Sequence, residues 1–412
     1  MKEKKEEVNI LIIHAHWNNR GDEAAIRAMI DALRPSLPIG RISIMIFSRG
    51  VPWFPYDDIE ILSPFPSKMR EIFDGMITML SLGRISFTKS GKRFIEAINE
   101  SDAVIHAPGG PSIGDIYRGG LSSYLYLYRL FFARIIKNKP IFFYAPSMGP
   151  FTNRFDNLAR RFLLKRASAI ILREGISARY LEEQLDLKSI VTCDSALQNV
   201  IPDGYLDRYD NIASILKTIE EKRVIGMTVT DLRWHPVLGK DIALSIRIKE
   251  AISGAIGQLL EKGYDILLIP QLFGDDTDIP LLEQFKELNQ ERIAILPDNV
   301  DSYGQQILMS KLHSIISLRH HPNILAAKGR IPFLSISYEY KMKGFVDQLG
   351  LPELSMNVEE ITAQKIIDKF QYLEDNYLSI SRALEDRMPD LERLSKKTTE
   401  IIAEMIRNGI LR

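Results

Sequence analysis

The stretch that most constrains the fold runs from residue 314 to residue 345, S-I-I-S-L-R-H-H-P-N-I-L-A-A-K-G-R-I-P-F-L-S-I-S-Y-E-Y-K-M-K-G-F. Ile315, Ile316 and Leu318 form one short apolar run, and residues 331–336 form a second. Between them Pro322 suits the first turn of a helix, where its missing N–H costs nothing, and Gly329 suits the helix end. Strand, helix and strand at this length make a βαβ unit of a parallel sheet. Ligands of such sheets bind beyond the carboxyl ends of the strands. Arg319, His320 and His321 fall at the end of the first strand, and Lys341 and Lys343 are expected in a basic loop after the second. Both groups should open onto the same sheet edge.

The charge of this segment is one-sided. From Lys311 to Lys343 there are four lysines, two arginines and a single carboxylate, Glu339; three of the chain's seven histidines (His313, His320, His321) lie in the same window. Arg offers a planar fork and Lys a point charge to a phosphorylated or carboxylated anion. The competing reading is a solvated basic loop that binds nothing.

The same grammar recurs along the chain. Residues 8–14 read as a first strand, followed by the loop H-A-H-W-N-N-R-G-D-E-A-A and a helix carrying Ile26, Met29, Ile30 and Leu33 at helical spacing. Asp22 and Glu23 suit the first helical turn, where carboxylates complement the helix dipole; the alternative is a loop and helix N-terminus that hold a ligand. Further strands are expected at 41–47, 103–106, 140–145, 191–195, 224–230, 265–270 and 293–296. The first of the glycine-rich turns, A-P-G-G-P-S-I-G-D, contains Gly109, Gly110 and Asp115. Glycine there permits either close ligand approach or simply a tight turn. Residues 48–101 read as loops with one or two helices and suggest no chemistry. Asp275, Asp276 and Asp278 have metal-like composition but lack the spacing of a calcium loop, and read as a solvated loop before a helix at 279–288. His235 reads as a surface histidine in preference to a proton carrier, and Cys193 as a small buried residue.

Length bounds the architecture. A chain of 412 residues exceeds one ordinary core, so two domains are expected. The 53 basic and 53 acidic side chains balance, which argues against a nucleic-acid binder. One cysteine excludes an intramolecular disulfide framework and a cysteine-rich zinc site. No secretory signal is visible in the opening residues, and Arg129, Arg134, Lys137, Lys139 and Pro140 interrupt the long apolar region at 121–148, so no membrane span is expected. Composition places a connection at 201–222 between a first domain at 1–200 and a second at 223–357, with charged amphipathic helices at 358–412.

Taken together, N-x-G-D-E-A at 19–24, the glycine-rich turn with its downstream Asp115, P-S-M-G-P at 146–150, R-E-G-I-S at 173–177, R-x-H at Arg319/His321 and I-S-Y-E-Y-K-M-K-G-F at 336–345 resemble the polysaccharide pyruvyl transferase family. His320 departs from the leucine more common in that family. The resemblance implies an α/β fold of two Rossmann-like domains like the GT-B glycosyltransferases, with C-terminal helices returning to the first domain. It implies transfer of the pyruvyl group of phosphoenolpyruvate, as co-substrate, to a sugar as a ketal, with no other cofactor and no metal. Arg233, Arg319, His321 and Lys341 would bind the donor, with His321 as general acid or phosphate ligand. Asp22 and Asp115 would orient or deprotonate the acceptor, Arg173 would approach from the first domain, and Asn19, Gly21, Gly109 and Gly110 would contact substrate. The acceptor could be a nucleotide sugar, a lipid-linked glycan or a polymer end. A lipid-linked acceptor would place a cytoplasmic protein at the inner face of the membrane. The runner-up readings are a glycosyltransferase using a nucleotide sugar and a non-catalytic sugar- or anion-binding scaffold. The oligomeric state is left open.

Overall fold

Two parallel sheets organise the chain. The structure, a computed structural model, describes residues 6–46, 53–62, 68–117, 121–274 and 277–411. Asp275 and Asp276, read above as part of an acidic loop, lie outside the described residues. The chain divides into two compact units: Met1–Trp17, Ala25–Asn199 and Arg393–Arg412 form the first, and Asn18–Ala24 with Val200–Glu392 the second.

The first unit contains β1 (Val8–Ala15), β2 (Ile39–Ile46), β3 (Glu60–Leu62), β4 (Ala103–His106), β5 (Gly109–Ser112), β6 (Ile141–Tyr144), β7 (Pro146–Met148), β8 (Ala169–Leu172) and β9 (Ile190–Val191). Seven of them form one sheet in the order β3-β2-β1-β4-β6-β8-β9, and β5 and β7 pair separately. Among the described residues each of these strand pairings is parallel. The strands are nearly continuous apolar runs because helices cover both faces. Leu11, Ile13, Val104, Phe143 and Leu172 are buried against Phe94, Ile98, Phe132 and Leu181 from the helices. The segment expected to be loops with one or two helices holds two, Lys68–Leu80 and Lys89–Glu100, together with β3. The strand expected at 191–195 is shorter, because Asp194 caps a 3₁₀ turn, Ser195–Gln198, through the Ala196 N–H. Residues of the last helix, Tyr377–Gly409, belong to this unit from Arg393 onward. There Ser395 Oγ donates to the Asp194 carbonyl at 2.6 Å, and Thr398 Oγ1 meets Thr192 Oγ1 at 2.7 Å.

The second unit contains β10 (Val224–Thr228), β11 (Asp265–Leu268), β12 (Ile293–Ile295), β13 (Ser314–Ser317), β14 (Phe333–Ser337) and β15 (Ser355–Asn357). Their order is β12-β11-β10-β13-β14-β15, again all parallel. Counted from the unit's first strand this is the 3-2-1-4-5-6 order, whose direction reverses between β10 and β13. Hydroxyls cross the middle of this sheet: Thr228 Oγ1 meets Ser317 Oγ at 2.7 Å, Ser335 Oγ meets Ser337 Oγ at 3.1 Å, and Ser337 Oγ meets Ser355 Oγ at 2.9 Å. The expected βαβ unit is present, with the helix His320–Lys328 between β13 and β14. The basic loop expected at Lys341 and Lys343 is instead the helix Tyr340–Leu349, ended by Gly350 at φ 66°. An αL glycine at that place is the ordinary way to stop a helix.

At the amino end of β13 the sheet is tied to the helix Ala363–Asp375 and to the start of the last helix. His313 Nε2 lies 2.6 Å from Glu374 Oε1, Tyr264 donates to Glu374 Oε2 at 2.7 Å, and the Tyr377 ring stacks on His313 at 4.8 Å. Burial pushes the His313 imidazole below its ordinary pKa, against the pull of Glu374. Burial raises Glu374, but hydrogen bonds from Tyr264, His313 and Arg223 outweigh it and leave that carboxyl below its ordinary value.

Two predictions follow from local geometry. Gly110 has φ 108°, and an added Cβ would lie 2.5 Å from Ser112 N and 2.7 Å from Ser147 O. Gly110→Ala is expected to destabilise the first unit by about 1–3 kcal/mol, read from denaturant midpoints. The lowered His313 pKa means that the unfolded chain binds more protons below about pH 6.5. The lowered Glu374 pKa adds a loss of the same sign below about pH 4.3. The melting temperature should therefore fall as pH is lowered from about 6.5 to about 5, and His313→Phe should flatten that slope.

Candidate functional site

The reversal between β10 and β13 leaves the carboxyl ends of these strands without a covering crossover, and the residues following them converge there. After β10 the chain turns through Thr230, Asp231, Arg233, Trp234 and His235. After β13 come Arg319, His320 and His321, with Arg319 extended and the two histidines in the first helical turn. After β14 come Tyr338, Glu339 and Lys341. From β11 comes Asp278.

Arg319 is buried and its guanidinium pairs with buried Asp278 at 2.9 Å. It lies 5.1 Å from the Trp234 ring centroid. Asp278 is held in turn by the Gln271 and Leu272 N–H groups at 2.9 and 2.8 Å. The acidic segment was expected to be solvated; Asp278 is instead the buried counter-ion of the signature arginine. Pairing explains the burial, since an unpaired buried guanidinium would be costly. The Arg319 backbone is fixed by Ser317, whose Oγ receives its N–H at 3.0 Å and donates to its carbonyl at 2.6 Å.

Glu339 joins one cation and one neutral donor. Its Oε2 is 2.7 Å from Lys341 Nζ, and its Oε1 is 3.2 Å from His235 Nε2. His235 Nδ1 accepts the Val237 and Leu238 N–H groups at 3.2 and 3.0 Å, so the ring proton belongs on Nε2, facing Glu339. His235 was expected at the surface. It is 5% exposed, and this hydrogen bonding makes it an orienting group for Glu339. Burial raises the pKa of the neighbouring Tyr338 phenol, reinforced by the charges of Glu339 and Asp22 and opposed by Arg319.

The N-terminal motif completes this edge. Asn18–Ala24 belongs to the second unit. Asn19 bridges to Leu272, and its Oδ1 accepts the Gly21 N–H at 2.8 Å. Arg20 N–H donates to the Gln271 carbonyl at 2.8 Å, and its guanidinium lies 4.2 Å from the Phe273 centroid. Glu23 is fully buried and accepts from Ser302 N and Oγ at 3.0 and 2.8 Å. A side chain at Gly21 would collide with the His321 ring at Nδ1. Gly21 is thus required by close packing against His321.

The other expected site residues are placed differently. Arg233, at the same strand end, is 69% exposed in its side chain and pairs with Asp231 at 2.5 Å, whereas Arg319 is buried. In the first unit Arg173 is buried, bonded to Asp194 at 2.6 Å and Ser147 Oγ at 2.8 Å. Asp115 pairs with Arg160 at 2.6 Å and accepts from Thr152 and Asn153. Burial alone would raise its pKa, but these bonds hold it below the ordinary range, which opposes a general-base role. Gly109 and Gly110 form β5 and permit its pairing with β7. Burial pushes the Cys193 thiol up to about 12, in keeping with a structural residue.

The first sheet has its own reversal, between β1 and β4, at residues to which the sequence motifs assign no role. His14, at φ 62°, stacks on Tyr126 at 4.0 Å and meets His106 edge-on at 4.8 Å; His16 Nε2 lies 3.0 Å from Tyr126 OH. A non-glycine residue at positive φ is strained and often marks a functional site. The available signal was position alone, a histidine at the end of each of two apolar runs. Among the described residues no group of His, Cys, Asp and Glu has the arrangement of a metal site, and no helix is long and apolar enough to cross a membrane.

Two Rossmann-like units, the second with a basic, histidine-bearing edge at its reversal point, define the class of fold. Residues 19–340 match the model of the polysaccharide pyruvyl transferase family, and the chain belongs to that family. It is therefore a transferase of polysaccharide modification. Its similarity to the amylovoran biosynthesis protein AmsJ of Erwinia amylovora is 24% identity, covering 97% of this chain and all of that protein. Among solved structures it is similar to S. aureus MnaA bound to UDP, with TM-score 0.60 and 13% identity over 97% of this chain and 96% of that one. It is also similar to UDP-GlcNAc 2-epimerase from Neisseria meningitidis bound to UDP-GlcNAc, with TM-score 0.54 and 14% identity over 97% of this chain and all of that one. At such identities the likeness establishes the fold alone, which is of the GT-B type.

Gly21→Ala should displace the His321 ring while leaving the helix start intact. The expected outcome is a loss of transferase activity of at least about tenfold together with a lowered melting temperature, since the added Cβ also meets His321 Cβ at 2.6 Å. Equal activity would show that His321 does not need this position.

Proposed function

We propose that the chain transfers the pyruvyl group of phosphoenolpyruvate to a sugar of a surface polysaccharide, forming a ketal and releasing phosphate. The observation that carries this reading is the convergence of Arg319, His321 and Lys341 on one edge, with Gly21 packed against His321. Guanidinium has five donors and ammonium three, so each can serve its own carboxylate and a bound anion together. Asp278 and Glu339 keep the cations oriented before the donor arrives, which lowers the reorganisation cost of binding.

The reaction requires a proton on the methylene carbon of the donor. This leaves positive charge at the adjacent carbon, which a sugar hydroxyl attacks. The carbon–oxygen bond to phosphate then breaks, and a second hydroxyl of the same sugar closes the ketal, each hydroxyl losing its proton. His321 is assigned as the acid, because imidazole is the side chain most often used for general acid–base transfer. Arg319 and Lys341 would bind the carboxylate and phosphate and stabilise the departing phosphate. Asp22, at the same edge, is assigned to the acceptor; Asp115 is not, given its engagement with Arg160.

Thermal unfolding with phosphoenolpyruvate tests the donor. At about 100 times the dissociation constant the ligand should stabilise the wild type by roughly 2.7 kcal/mol, and Arg319→Ala with His321→Ala should lose the shift. His321→Ala alone should lower turnover by roughly 10²–10⁴-fold, measured as phosphate release. Stabilisation by nucleotide sugars alone, with no phosphate released from phosphoenolpyruvate, would overturn the proposal in favour of a glycosyltransferase.

A further inference from the structure

The helix Lys68–Leu80 in the first unit is amphipathic in the opposite sense to a normal surface helix. Its inward face carries polar groups: Glu71, Asp74 and Thr78 are buried, beside Gly75 and the partly buried Met79. Glu71 pairs with buried Arg129. Asp74 receives the Ser86 hydroxyl at 2.8 Å, the Phe87 N–H at 2.6 Å and the Thr88 N–H at 3.1 Å. Its outward face is apolar. Met69, Phe73, Met76 and Leu80 recur at intervals of four, three and four and are all exposed, Phe73 at 60% and Leu80 at 84%. This stripe runs the length of a 13-residue helix, about 20 Å.

The turn that follows extends the surface and is held rigidly. Ser81 Oγ receives the Ile85 N–H at 3.0 Å, and the Gly83 N–H donates to the Thr78 carbonyl at 2.7 Å. Gly83 has φ 78° and presses against the Phe132 ring. This framework, with Asp74 behind it, presents Leu82, Ile85 and Phe87 to solvent. Seven large apolar side chains thus face outward within 19 residues (69–87), positioned by buried polar groups that would gain nothing from solvating this face. Large apolar side chains exposed this closely along the chain point to an interaction site.

Charge identifies the partner. In the chain as a whole acidic and basic residues balance. Around this patch Arg70, Arg84, Lys89 and Lys92 are exposed, whereas the two nearby carboxylates, Glu71 and Asp74, are buried and engaged. Leu, Phe and Met side chains with a basic rim fit the interface of an anionic bilayer, where the apolar groups enter the acyl boundary and the cations meet lipid phosphates. We propose that this helix and turn are the surface by which the protein lies on an anionic lipid bilayer. The inference is independent of the donor chemistry.

The test is co-sedimentation of the full chain with phosphatidylcholine vesicles, with and without phosphatidylglycerol. The wild type should bind the anionic vesicles, weakening as salt rises, and leave neutral ones largely unbound. Phe73→Glu with Leu80→Glu should lower binding at least about tenfold without lowering the melting temperature. Should that variant unfold, Arg84→Glu with Lys89→Glu on the rim should still abolish the preference for anionic vesicles. Absence of wild-type binding, or equal binding by these variants, overturns the proposal. So does a wild-type dimer that the Glu variant dissociates while no vesicles are bound, since the face would then join two copies of the chain.

Discussion

A buried guanidinium has to be neutralised where it sits, and the ion pair between Arg319 and Asp278 meets that demand in the second unit. Removing either partner would strand a charge in a low-dielectric place, a cost of several kcal/mol. The pair ties the end of β13 to the segment after β11, across the end of β10. Those are the strands at which the sheet order reverses. Glu339 repeats the arrangement after β14, between Lys341 and His235. The sheet edge is therefore a charged surface whose electrostatics are settled by the protein's own carboxylates.

This arrangement explains why the N-terminal motif and the C-terminal motif, three hundred residues apart, belong together. Asn19, Arg20 and Glu23 are bonded to Leu272, Gln271 and Ser302, and Gly21 leaves room for His321. The loop helps to build one edge of the second sheet. In the first unit Asp115, Arg173, Gly109 and Gly110 all have structural partners that account for their presence. The strained His14 and its neighbours Tyr126 and His106 occupy the reversal point there. The same unit carries a helix whose polar face is turned inward, which stability alone does not require.

Much of the fold was legible in the sequence because parallel strands covered on both faces read as short unbroken apolar runs. The runs at 224–230, 265–270 and 315–318 announce themselves in this way. Arg319 and His321 were legible as a strand-end pair. Asp278 was not, because in sequence it is one of several aspartates in a loop. Nothing local distinguishes a solvated aspartate from one whose two oxygens meet backbone amides and a distant guanidinium. His235 was misplaced at the surface for the same reason, since its partner Glu339 is over a hundred residues away. Lys341 was expected in a loop because the tyrosines and lysines around it lack a clear apolar face, yet Met342, Phe345, Val346 and Leu349 pack inward as a helix.

Local pattern thus determines that this chain forms alternating strands and helices, that its sheets are parallel, and that cations and histidines stand at strand ends. Periodicity and turn chemistry act between near neighbours, so sequence carries them directly. The tertiary structure decided which carboxylate neutralises which cation, which histidine meets Glu339 and which packs against Gly21, and which sheet the N-terminal loop completes. Those outcomes depend on pairings between residues far apart in the chain, and burial gives each pairing its energetic weight.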